Sequence, residues 1–197
     1  MDAIDRILDI LHAEGHRPQV EMERHKDASW EIITWEVDDD DYSIYGGDIA
    51  VEGDNIAWFQ TSDEDDHLLR VFQNQNHLAW TPITHNPAYG CECLLVEWYQ
   101  DHLLFIYQEK HDVYVCAVRH GKVNTFQIEG DLLARNGDRL AFETFRPSSA
   151  KPIRVLALPS LKELEPLSRA EAEWEDLTPG DLHQPDGFLS HRDTPPE

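Results

Sequence analysis

The residues of this chain whose type and spacing best suit chemistry are two runs of carboxylates. Asp38, Asp39, Asp40 and Asp41 lie in TWEVDDDDYSIYGGD, and Asp63, Glu64, Asp65 and Asp66 in FQTSDEDDHLL. Adjacent like charges repel one another and desolvate poorly, so such runs stay in water, gather cations or meet a cationic partner. A calcium loop would need carboxylate oxygens at alternate positions around a central glycine, and neither run has that spacing. Aromatic residues stand beside the acids: Trp35, Tyr42 and Tyr45 around the first run, Trp58 and Phe59 before the second. Aromatic anchors ringed by charge have the composition of a protein interface. The expected site is therefore a docking surface made of Trp35, Asp38, Asp39, Asp40, Asp41, Tyr42, Tyr45, Trp58, Asp63, Glu64, Asp65 and Asp66.

Other chemistry is less well supported. Cys91 and Cys93, two apart in a strand, would direct their thiols to one face and could be joined by Cys116 or His85 in a zinc set. No second pair of Cys or His at ligand spacing accompanies them, and buried core thiols are the simpler expectation. Glu109, His111 and Asp112 in QEKHD, helped by Glu97 or Asp101, offer an acid and a base, but the segment reads as an exposed hairpin tip. The nucleophile elbow, the phosphate-binding loop and the dinucleotide fingerprint are all missing from the sequence. No catalytic residue, metal ligand or cofactor is assigned, and the chain is not expected to be an enzyme.

These residues need a scaffold, and the hydrophobic pattern predicts one that is mainly β. A single amphipathic helix opens the chain: Asp2 caps it, Ile4, Ile7, Leu8, Ile10 and Leu11 share a face, and Gly15 and Pro18 end it. Period-two and short apolar runs follow at 30–37, 42–45, 49–51 and 56–60. A hairpin unit then recurs. DNIAWFQ and HLLRVF (54–72), DHLLFIYQ and VYVCAV (101–118), and DRLAFETF and PIRVLALP (138–159) each place an acidic turn before two strands joined by a polar loop. Three copies are too few to close a propeller of about four to eight blades. The expected architecture is α+β with one N-terminal helix and an antiparallel meander of hairpins forming a twisted sheet, half-barrel or sandwich. Residues 1–165 make one globular domain, with a possible subdivision in the Pro-rich loop 80–90. Residues 166–182 form a short helical extension, and 183–197 a mobile acidic, Pro-rich tail.

Charge narrows the partner. The 197 residues carry a formal net charge of −23, and its distribution is uneven. Residues 1–100 hold 22 Asp and Glu against 5 Lys and Arg, whereas residues 101–160 hold 7 against 8. Such a field repels nucleic acid phosphates and anionic lipid, and it attracts a basic protein surface. No apolar run reaches the length of a membrane span, the opening residues have no basic region of a signal peptide, and three cysteines suit a reducing cytoplasm. The sequence thus predicts a cytoplasmic acidic protein-binding module that masks a basic surface, of the immunity or antitoxin type directed at a nuclease-like toxin. A protein-protein adaptor or secretion chaperone, and a small metal-dependent enzyme, are the alternatives.

Overall fold

In a computed structural model of the chain, the residues described are 3–25, 28–62, 68–73, 76–77, 81–82, 91–145, 151–175 and 177. Helix α1 (Ala3–Ala13) precedes an eight-stranded antiparallel sheet. Its strands are β1 (Gln19–His25), β2 (Ala28–Val37), β3 (Asp40–Tyr45), β4 (Ile49–Glu52), β5 (Asn55–Ser62), β6 (Leu68–Gln73), β7 (Asn76–His77) and β8 (Thr81–Pro82), with a 3-10 turn at Gly46–Asp48. The second sheet has seven strands in strict sequence order: β9 (Cys91–Tyr99), β10 (His102–Glu109), β11 (Asp112–Arg119), β12 (Lys122–Asn136), β13 (Arg139–Thr144), β14 (Ile153–Ala157) and β15 (Lys162–Glu163). Helix α2 (Arg169–Trp174) follows, its N-terminus closed by a capping box in which Ser168 and Glu171 exchange hydrogen bonds. The class is the expected one, and the sheets stack as a sandwich without closing into a barrel. No helix among the described residues is long and apolar enough to cross a membrane.

The stacking order explains the apolar runs. Helix α1 lays Ile7 and Leu11 on Ile33, Ile44, Ile56, Trp58 and Phe72 of the first sheet. The opposite face of that sheet, Ala57, Phe59, Leu69 and Val71, packs on Leu103, Phe105, Tyr107, Tyr114, Cys116 and Val118 of β10 and β11. The intervening residues Leu104, Ile106, Val113, Val115 and Ala117 point the other way and pack on Leu140, Phe142 and Leu156 of β13 and β14. Strands β10 and β11 therefore form a middle layer buried on both faces, which is why LLFIY and VYVCAV are continuous rather than alternating. The far face of the last layer, Ala141, Ile153 and Val155, is closed by Ala172 and Leu177, so the chain beyond residue 165 contributes to the core.

The second sheet can occupy two layers because β12 serves both. Lys122–Glu129 pairs with β11 and Gly130–Asn136 pairs with β13, with a register shift between Leu132 and Ala134. Gly130 sits at the fold, where a Cβ would lie 2.3 Å from the Glu143 carbonyl oxygen and 3.0 Å from its carbon. Both contacts are backbone and cannot swing aside. Gly130→Ala is expected to destabilise the fold by about 1–3 kcal/mol through this clash, read from the urea midpoint.

Candidate functional site

The four consecutive aspartates divide between a turn and a strand. Val37 pairs with Asp40 and Glu36 with Asp41, leaving Asp38 and Asp39 as the two residues of the β2–β3 connection. Their φ angles are +53° and +75°. A two-residue hairpin turn with both central residues in the left-handed region matches the twist of the flanking strands and normally calls for Asn-Gly. Aspartate is one of the few other side chains that tolerates this conformation. Asp38 and Asp39 are exposed at the tip, and Glu36 and Asp41 are exposed and directly opposite on one face of the sheet. Like charges facing each other across a ladder destabilise it, so this pair gains from any cation that settles between them.

Below the tip lies an open hollow of about 500 Å³ lined by Gly15, His16, Arg17, Gln19, Thr34, Trp35, Glu36, Asp38 and Asp41. Three carboxylates and one guanidinium line it, leaving a net negative lining with an aromatic wall. Trp35 and Tyr42, cross-strand neighbours, stack with ring centroids 5.6 Å apart and planes 17° apart. His16 tilts against the other side of Trp35 at 6.4 Å. Side-chain hydrogen bonds also tie the surrounding elements together. Ser43 Oγ and Thr61 Oγ1 share a hydrogen bond of 3.1 Å between β3 and β5, and Arg6 of α1 donates to the carbonyls of Gly53 and Asp54 at 2.9 and 2.7 Å.

Glu14 anchors the segment that brings His16 and Arg17 to the hollow. Its carboxylate receives both terminal nitrogens of Arg70, Nη1 at 2.8 Å and Nη2 in the shorter contact. Arg70 is 1% exposed, with its guanidinium 5.0 Å from the Trp58 ring and 5.3 Å from Phe72. On the far side of the first sheet, Asp48 meets β9. Burial pushes its carboxyl up to about 7, the Cys93 thiol that donates to it offsets part of that rise, and Glu92 nearby adds to it.

Several residues of the expected site are found together. Trp35, Asp38 and Asp41 line the hollow, Tyr42 backs it, and Asp39 and Asp40 complete the tip. Tyr45 is exposed but lies at the other end of β3. Trp58 is a correction. It is fully buried, stacked on Phe72 at 5.2 Å and hydrogen-bonded through Nε1 to Gln60, so no partner can reach it. The run Asp63, Glu64, Asp65, Asp66 lies outside the described residues, as do His85, most of the loop 80–90 and the tail 183–197. Sequence reasoning missed His16, Arg17, Thr34 and Glu36. Glu36 was accessible in principle, since hairpin pairing across a two-residue turn sets it opposite Asp41.

The remaining chemical candidates are separate in space. Cys93 and Cys116 are buried thiols without a disulfide in the core between the sheets, in different cross-strand rows: Cys93 pairs with Tyr107, Cys116 with Phe105. No group of three His, Cys, Asp or Glu side chains among the described residues converges as a metal would require. Glu109 and Asp112 face each other at the β10–β11 tip, with His111 exposed beside them. Glu97 is tied instead to Arg135, and burial raises its carboxyl while Arg135 partly offsets the rise. Asp101 lies 4.0 Å from Arg119 on the surface. The chain matches no protein-family model and no curated protein sequence.

Proposed function

We propose that this chain is a stoichiometric binding module that masks a basic surface of another protein in the cytoplasm, as an immunity protein or antitoxin masks a nuclease-like toxin. The observation that supports this reading is the β2–β3 end of the first sheet, where Glu36, Asp38 and Asp41 surround a hollow walled by stacked Trp35 and Tyr42. Trp35 is buried under α1 and Tyr42 is half-buried, so the aromatic wall is a fixed backing for the hollow, and the exposed carboxylates around it steer a cationic surface into place. The opposed Glu36 and Asp41 hold unfavourable energy in the free protein that a lysine or arginine of the partner would relieve. The charge excess of the first 100 residues adds long-range attraction of the same sign. Thiols left unbridged, as Cys93 and Cys116 are, suit a reducing compartment.

The test is capture from an extract of the producing cells with the wild-type chain and with Asp38, Asp39, Asp40 and Asp41 all replaced by Asn. The wild type should enrich a basic protein and inhibit its activity at equimolar ratio. The Asn variant should keep its thermal midpoint or gain slightly as repulsion is relieved. Its association with that partner should slow by about tenfold at low salt, with a shallower salt dependence. Replacing Asp131 and Asp138 in the near-neutral region is the control and should leave association unchanged. Enrichment of no basic protein, or equal association rates for the three chains, would overturn the proposal.

A further inference from the structure

Strand β1 is the last strand of the first sheet, and among the described residues it pairs with β2 alone. Its seven residues run in unbroken antiparallel register against β2, from Gln19 opposite Thr34 to His25 opposite Ala28, with no bulge to turn the edge away. Natural sheets usually blunt such an edge by proline, bulge, short length or charged side chains, because the outward N–H and C=O groups of alternate residues form a template for another chain; β1, QVEMERH, has the charges alone, and these can be met by an oppositely charged strand. Here Pro18 precedes the strand and none lies inside it, and Gln19, Val20, Glu21 and Met22 are all exposed.

The two faces of this edge differ in chemistry. Val20 is opposite Ile33 and so lies on the face that α1 covers further in, yet it is 44% exposed, and Met22 on the same face is 53% exposed. Helix α1 thus covers the inner strands and leaves an apolar ledge at the rim. Gln19 and Glu21 lie on the other face together with Thr34, Glu36 and Asp41, beside the acidic hollow.

We infer that the edge of β1 accepts an additional β-strand from the partner protein, an extended segment in which basic residues alternate with apolar ones. The inference rests on the proposal above that the partner is basic, and it specifies how that partner is held. In strand addition, main-chain hydrogen bonds give affinity and alternate side chains give specificity. Apolar side chains of the added strand lie over Val20 and Met22, while its lysines or arginines reach Glu21 and the carboxylates at the mouth of the hollow. A wholly basic segment would leave the ledge uncovered, and a wholly apolar one would desolvate Glu21 without a counter-charge.

The experiment uses a short fluorescent peptide of alternating lysine and valine, and the same peptide N-methylated at two consecutive central residues, which blocks both of its edges without changing its charge. Anisotropy titration of the full chain should show the unmodified peptide binding about tenfold or more tightly than the methylated one, as loss of strand pairing requires. Glu21→Lys and Met22→Lys, both at exposed positions, should each weaken the unmodified peptide about fivefold or more. Amide exchange of Val20 to Glu23 should slow in the complex. Equal binding of the two peptides, or no binding of the unmodified one, would overturn the strand-addition inference. Capture of a basic protein that depends on Asp38 to Asp41 would survive that outcome, so the two proposals fail separately.

Discussion

Replacing Glu14 by alanine is expected to destabilise the protein by about 2–4 kcal/mol, far more than the ±0.5 kcal/mol usual for a solvent-reached position just past a helix end. The cause is the cation it neutralises. Arg70 is withdrawn from water between Trp58 and Phe72, and both of its terminal nitrogens bond to the Glu14 carboxylate. Without that carboxylate the guanidinium keeps its desolvation cost and loses its principal counter-charge. Removing the cation is different in kind. Arg70→Met keeps the stem between the two rings and leaves Glu14 about one-third exposed and free to hydrate, so it should cost less than about 1 kcal/mol. The double variant should resemble Arg70→Met alone. Urea unfolding of the three variants measures this, and equal losses from the two single substitutions would refute the account.

The second large effect depends on pH. Asp48 has its carboxyl raised from 3.8 to about 7, first by burial, so the folded chain holds a proton that the unfolded chain releases between those values. A group whose folded pKa is raised in this way contributes most at low pH, and that contribution is lost as pH climbs towards 7. The limiting penalty for a shift of this size is about 4 kcal/mol, and the remaining solvent contact of Asp48 reduces it to about 2 kcal/mol. Asp48→Asn, which cannot ionise, should therefore match the wild type near pH 4 and exceed it by about 2 kcal/mol at pH 8. Cys93→Ala removes the thiol that supports the carboxylate and should steepen the wild-type loss. A constant difference between Asp48→Asn and wild type across this range would show that Asp48 does not titrate as described.

The β architecture was legible because each layer is built from local pairs. The three recurring hairpin units seen in the sequence are β5–β6, β10–β11 and β13–β14, one in each stacked layer, and in each the two strands that pair are neighbours in sequence. Alternation reveals that a strand has two faces, but it does not say what covers each. Trp58 looked like an interface aromatic because it stands near acids in the chain, whereas α1, some fifty residues earlier, covers its face of the sheet. The same limit hid the hollow. Gly15, His16 and Arg17 meet Thr34, Trp35 and Glu36 through tertiary contacts such as that of Glu14 with Arg70 on β6, 56 residues apart in sequence. The acidic turn was recognised as a turn, but its division into two turn residues and two strand residues follows from register rather than from composition.

The middle layer also has a consequence during synthesis. Among the described residues the first sheet ends at Pro82, but its inner face, with Phe59, Leu69 and Val71, packs on β10 and β11, the last of them ending at Arg119. At translation rates of about 5–20 residues per second that interval lasts roughly 2–7 s, long enough for nascent chains on one polysome to meet through their uncovered faces. Every such chain already carries most of the acidic excess of residues 1–100. The carboxylates would then serve before any partner arrives, by keeping half-made copies of this protein apart until their own middle strands close the layer.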